Sequence, residues 1–135
     1  VTVTWPLPSG PDAVLLPAGQ WWDAVRVPIY LGKDVLRRLG STSGAVIRDP
    51  YGCRLYWLIK PGSAREWTFP EFAAVQVLST ASWVTVPPRT RLRPPGPHWA
   101  VPCCPGATLT STGQLHEALH ATIGRMLGPR EGSSL

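Results

Sequence analysis

Short apolar runs cut by proline and glycine set the grammar of this chain, and their periodicity predicts its elements. Residues 1–20, VTVTWPLPSGPDAVLLPAGQ, permit only an edge strand at Val1–Trp5, because Pro6 and Pro8 exclude a longer central one. Asp23–Val27 reads as a strand closed by Pro28. The segment IYLGKDVLRRLG (29–40) turns to a helical period, with Ile29 or Tyr30, Val35, Leu36 and Leu39 on one face and Arg37 and Arg38 beside it. Gly40 supplies its C-cap, while Gly32 weakens its first turn. Ala45–Arg48 and Arg54–Ile59 form two strands joined by Asp49-Pro50-Tyr51-Gly52, the composition of a type I turn. In the second strand Leu55, Trp57 and Ile59 make the better core face, opposite Arg54, Tyr56 and Leu58.

Beyond Pro61-Gly62, residues Ser63–Phe72 fit a short helix or a loop equally well. Strand patterns return at Ala74–Leu78 and Trp83–Val86, the latter ended by Pro87-Pro88, and a short one follows at Trp99–Val101. Ser111 or Thr112 starts a last helix with Leu115, Leu119, Ile123 and Met126 on one side, stopped by Gly128-Pro129. Strands and helices in this order predict an α+β, or mixed α/β, class. The expected architecture is one twisted, mixed or largely antiparallel sheet with helices packed against one side. Residues 1–22 read as an N-terminal extension or edge strand, 23–128 as a single globular domain and 129–135 as a flexible tail.

A length of 135 residues suits one domain with a real core, and no internal repeat divides it. Pro 16 and Gly 13 fall between the apolar runs, which describes stiff connections instead of a low-complexity chain. Seven tryptophans exceed what the core needs, leaving some for stacking or a protein interface. The net charge of +5 permits nucleic-acid binding without requiring it. Cys53, Cys103 and Cys104 form neither a disulfide scaffold nor a spaced metal knuckle, so a reducing, cytoplasmic setting is expected. No apolar run reaches membrane-spanning length, and no membrane partner is expected. The chain begins at Val1 instead of methionine, which implies that preceding residues have been removed.

Three pieces in sequence order resemble the N-terminal prim-pol domain of bifunctional DNA primase/polymerases, especially its short, diverged actinobacterial relatives. They are YGCRLYW (51–57), VQVLSTASWVTVPP (75–88) and PPGPHW (94–99). With the strand at Ala24–Val27 the resemblance spans about residues 23–101. It implies a prim-pol-like fold whose chemistry rests on an acidic pair after an early strand, a histidine after the glycine-containing turn and an aspartate before the double proline. Carried over, the histidine position falls on Arg54 and the later aspartate on Gln76. Near the early strand stands Arg26 in place of two acids, with Asp23 alone beside it and Asp49 in its own turn. Arginine and glutamine cannot build the anionic cage that divalent metals need for nucleotidyl transfer. Asp49, Arg54 and Gln76 are therefore read as a vestigial site, with no catalytic residue and no cofactor.

Two further patterns carry chemistry. In PPRTRLRPPGPHW, an extended chain would align Arg89, Arg91 and Arg93 on one side as a phosphate-contacting edge, with Trp99 and Trp83 as stacking partners. The plainer reading is a solvated proline-rich loop. His116, Glu117 and His120 match H-E-x-x-H on a helix, yet no third zinc ligand follows convincingly, so solvent-facing histidines are preferred to a metal site. The leading expectation is a non-catalytic prim-pol-like module that binds nucleic acid or nucleotide through Arg54, Arg89, Arg91, Arg93 and Trp99. Single-stranded or duplex DNA and a helicase or other replication protein are its expected partners. A protein-interaction or assembly module is the alternative. A metal-dependent enzyme, by nucleotidyl transfer or H-E-x-x-H hydrolysis, is a third, less favoured reading.

Overall fold

The computed structural model describes residues 5–104 and 108–127. Its elements in chain order are β1 (Val14–Pro17), β2 (Asp23–Pro28), α1 (Ile29–Leu39), β3 (Val46–Asp49), β4 (Arg54–Ile59), β5 (Gln76–Leu78), β6 (Trp83–Val86), β7 (His98–Val101) and α2 (Thr112–Met126). Five strands form one sheet in the order β5-β2-β4-β3-β7, and β1 and β6 form a separate two-stranded ribbon. All pairings are antiparallel. The chain is thus a mixed α/β fold with antiparallel sheets and helices packed alongside.

Side-chain alternation gives the five-stranded sheet two buried faces. On one, Val25, Val27, Val46, Leu55, Trp57 and Ile59 pack against Leu31, Val35 and Leu39 of α1 and Leu115, Leu119 and Ile123 of α2. On the other, Ala24, Ile47, Leu58 and Trp99 meet Leu16, Val84 and Val86 of the ribbon, with Trp22 beside them. The helices cover one side, as expected. Leu55, Trp57 and Ile59 are all buried, as expected of the better core face, while on the opposite face the ribbon buries Leu58 and leaves Arg54 and Tyr56 half-buried. Truncating Trp57, which has no exposed surface, would cost about 3–5 kcal/mol as transfer energy plus cavity.

Local chemistry fixes the connections. The β3–β4 loop runs one residue beyond the expected turn: Asp49 pairs with Arg54, and Cys53 takes the left-handed conformation at φ 56°. The Cys53 carbonyl then accepts the Ile29 N–H at 2.9 Å, satisfying a donor of α1 that Pro28 leaves without a side-chain cap. Within α1, Gly32 lets the helix close on Leu55: a Cβ there would lie 2.6 Å from Leu55 Cδ1. Of the two alternatives for the first turn, Ile29 packs against the core and Tyr30 is 49% exposed, while Leu31 and Asp34 also face inward. Asp34 accepts hydrogen bonds from Arg37, from Arg38 Nε at 2.8 Å and, across to α2, from the Thr122 hydroxyl at 2.8 Å. Those partners hold its carboxyl well below the ordinary carboxylate range, the Arg38 bond contributing most. Ser111 caps α2 by accepting the Gln114 N–H, but Met126 turns outward, unlike Leu115, Leu119 and Ile123.

Residues 61–66 form turns, 67–70 carry no regular structure, and a 3-10 turn follows at Glu71–Ala73. The edge strand expected at Val1–Trp5 falls, except for Trp5, outside the described residues, as do the Gly128-Pro129 stop and the tail. The strand observed before β2 is β1, whose partner is β6.

Candidate functional site

The ribbon covers only part of the sheet face opposite the helices, and the uncovered end is polar. Strand register builds it. Gln76 on β5 lies opposite Arg26 on β2, which lies opposite Tyr56 on β4, which lies opposite Ile47 on β3. One step toward the hairpin on the same face, Arg54 pairs with Asp49 on one side and Pro28 on the other. The three positions that the resemblance singles out, Arg26, Arg54 and Gln76, therefore share one face and one end of the sheet. Diagonal neighbours such as Arg26 and Arg54 stand about 7–8 Å apart across adjacent antiparallel strands.

Their partners leave the guanidinium groups without charge compensation. Arg26 Nη2 donates to Gln76 Oε1, and its buried Nε has no hydrogen-bond partner. Arg54 Nη1 donates to the Gly52 carbonyl at 3.0 Å. Among the described residues the salt bridges join only Asp34 with Arg37 and Arg38, so neither Arg26 nor Arg54 faces a carboxylate within bridging distance. Asp49, the acid on this face, accepts the Tyr51 N–H at 3.1 Å inside its own loop, the turn role expected for it. Asp23 lies on the other face, where it accepts the Gly62 N–H and the Ser79 hydroxyl. Two acids on opposite sides of a sheet cannot hold a common metal ion.

Beside this row, a cavity of about 280 Å³ opens between β6 and the β3–β4 hairpin, lined by Asp49, Tyr51, Tyr56, Trp83 and Pro97 among others. Tyr56 belongs to both the row and the cavity. Tyr51 is 77% exposed and Trp83 is 58% exposed, so both present aromatic surface to solvent. Guanidinium groups next to exposed aromatic rings are the chemistry that can hold a phosphate backbone and an unpaired base.

The arginine run after Pro88 is arranged differently from expectation. Arg91 N–H bonds the Pro88 carbonyl, making a turn that breaks the alternation needed to align Arg89, Arg91 and Arg93. Arg91 is further committed through Nη2 to the Pro11 carbonyl at 2.7 Å. Arg89 and Arg93 remain exposed. Trp99, expected to stack on a ligand, is 1% exposed, and its Nε1 donates to the carbonyls of Pro87 and Pro88. The buried indole N–H is thus spent inside the fold, shared between two proline carbonyls, of which that of Pro88 also accepts the Arg91 N–H. The exposed tryptophan on this surface is Trp83. His98 is buried, with Nδ1 bonded to the Gly96 carbonyl.

His116, Glu117 and His120 stay on the last helix without a third ligand. His116 lies against Trp67 and Phe69, with ring centroids 5.2 and 5.3 Å away, while Glu117 and His120 are exposed. Among the described residues no group of three or more His, Cys, Asp or Glu side chains is placed to hold a metal ion. Burial pushes the Cys103 thiol up, which keeps it protonated and unreactive. No helix among the described residues is long and apolar enough to cross a membrane.

Arg26 was noticed in the sequence only as standing in place of two acids and was given no binding role. The signal was an unpaired cation alternating with apolar residues in DAVRVP, facing Tyr56 across the sheet. Comparisons with protein-family models, with curated proteins and with solved structures find no match for this chain.

Proposed function

We propose that this chain is a non-catalytic, prim-pol-like module that binds single-stranded nucleic acid on the uncovered end of its sheet. One observation carries the reading: Arg26, Arg54 and Gln76, where the resembled family needs acids and histidine, are adjacent on one face beside Tyr51, Tyr56 and Trp83. A metal-dependent polymerase requires carboxylates there to neutralise triphosphate through divalent ions. Guanidinium groups bind phosphate directly instead, and the aromatic cavity accepts a base. The affinity is electrostatic, tolerant of sequence and sensitive to salt. Fluorescence anisotropy with labelled single-stranded and duplex DNA at low and moderate salt tests it. Preferential single-strand binding that weakens steeply with salt is expected, and no binding at low salt would overturn it.

A second reading, self-assembly, is favoured by the ribbon. Leu15 and Trp83 are each 58% exposed on its outer side, and β1 and β6 pair only with each other among the described residues. Open strand edges beside apolar surface invite strand addition by another copy. Light scattering after size exclusion reads this out as a concentration-dependent mass; a constant monomer mass removes it.

A further inference from the structure

A larger cleft, about 620 Å³, lies on the helix-facing side of the sheet, between the 62–69 loop and the edge strand β5. Asp23, Arg65, Trp67, Phe69, Val77 and Ser79 are among its lining residues. Its size falls within the range of small-molecule sites, and its walls mix apolar side chains with the polar Asp23, Arg65, Thr68 and Ser79.

The floor is a carboxylate. Asp23 is 2% exposed; Oδ2 accepts the Gly62 N–H at 2.8 Å and Oδ1 accepts the Ser79 hydroxyl at 3.0 Å. Gly62 takes a positive φ of 75°, a conformation that suits glycine. Each carboxylate oxygen has two lone pairs and uses one in these bonds. Both neighbouring donors are already committed, and no cation lies within bridging distance of Asp23 among the described residues. The floor therefore offers acceptors alone, so a ligand that fits must bring N–H or O–H donors.

The walls narrow the class. Trp67 and Phe69 meet edge to face with centroids 5.7 Å apart, providing aromatic surface for a flat group. Arg65 is exposed at the cleft, and no carboxylate bridges it among the described residues, which provides a phosphate partner at the rim. Among the common bases, adenine and cytosine set a ring acceptor beside their amino group, and uracil flanks its N–H with two carbonyls. Each would aim an acceptor at Asp23. Guanine alone sets two donors, N1–H and the 2-amino group, side by side. Anchoring the loop accounts for half of Asp23's acceptor capacity, but not for the space above it, the aromatic wall or Arg65.

We propose that this cleft binds a guanine nucleotide, with Asp23 reading the N1–H and 2-amino donors, Trp67 lying against the base and Arg65 contacting phosphate. A guanidinium compound shares the donor array; the nucleotide is favoured because the cleft exceeds a guanidinium in size and carries a cation at its rim. The site stands independently of the Arg26–Arg54 surface, from which the sheet separates it.

Isothermal titration of the full chain with GMP, AMP, IMP, guanosine and free arginine tests this. GMP binding at least about tenfold tighter than AMP and IMP is expected, since a lost donor leaves a buried acceptor unpaired. Asp23→Asn should weaken GMP at least about tenfold and favour XMP, because the new amide can keep the Gly62 and Ser79 contacts and donate to the 2-carbonyl of xanthine. Arg65→Ala should weaken GMP while leaving guanosine unchanged. If Asp23→Asn fails to fold by circular dichroism, the base series and Arg65→Ala decide the matter. Equal affinity for GMP and AMP, arginine binding without GMP binding, or no binding of any of the series would each overturn the proposal. Asp23→Asn and Arg65→Ala leave the Arg26–Arg54 surface untouched, so failure of the nucleic-acid reading would not conceal this result.

Discussion

Changing Arg26 and Arg54 together to glutamine separates phosphate contact from every other source of affinity. Both side chains sit on one face with no carboxylate in bridging distance, so each is free to meet one phosphate. For single strands each such contact contributes about −0.7 to the slope of log affinity against log salt. The double variant should therefore flatten the slope by about 1.4. Between 50 and 200 mM salt, a fourfold change, the affinity deficit of the variant should shrink by about sevenfold. Glutamine retains polar side chains beside Gln76 and the Gly52 carbonyl, which limits damage to the sheet. Trp83→Ala is the counterpart: lost stacking costs about 1–3 kcal/mol per base at every salt concentration, leaving the slope alone. Anisotropy titrations at four or more salt concentrations read both quantities. An unchanged slope in the double variant, with folding intact, refutes the assignment of these arginines to phosphate.

Gly32→Ala should destabilise the fold despite a helix-propensity gain of about 1 kcal/mol, because the new Cβ meets Leu55 at 2.6 Å and overpacking costs about 1–3 kcal/mol. Gly124→Ala, with nothing within 4 Å, should stabilise by up to about 1 kcal/mol in the same urea-unfolding assay. Asp34 is held below its ordinary 3.8, so the unfolded chain takes up its proton first; its contribution is complete above about pH 4 and declines as pH falls further. Unfolding midpoints against pH should show that decline, and Asp34→Asn should reduce it. Metal analysis of protein purified without chelator should show no zinc that depends on His116, since its ring packs against Trp67 and Phe69 and no third ligand stands beside it among the described residues.

Period-driven features were legible in the sequence. The 3.6-residue pattern of 29–39 and the alternation in 54–59 fixed α1 and β4, and Gly40 and Ser111 marked the helix ends. Features set by tertiary neighbours were not. Nothing local to VLLP predicts that it pairs with a strand some seventy residues away, and that pairing buries Leu58's face. Trp99 was read as a ligand partner because tryptophan beside arginine suits stacking, yet its ring is buried against the sheet and its indole N–H is spent on two proline carbonyls. The arginine row in 89–93 assumed extended backbone, which the Pro88–Arg91 turn removes. Gln76 and Arg54 were singled out through the resemblance; that they flank Arg26 became visible only in the strand register.

Strand β2 links the two proposed sites and also keeps them apart. Asp23 and Arg26 are three residues apart, an odd interval, so they project from opposite faces of the same strand. A single nucleotide cannot use the carboxylate of one and the guanidinium of the other, because the sheet lies between them. The carboxylate faces a donor-bearing base, while Arg26 and Arg54 face phosphate that arrives with its own aromatic cavity. Binding at the two sites should therefore be simultaneous rather than competitive. In an anisotropy experiment with a labelled oligonucleotide lacking guanine, saturating GMP should leave the bound fraction unchanged or move it slightly through β2. Full displacement by GMP, at the concentration that saturates the calorimetric signal, would mean one shared site and would refute the assignment of opposite faces.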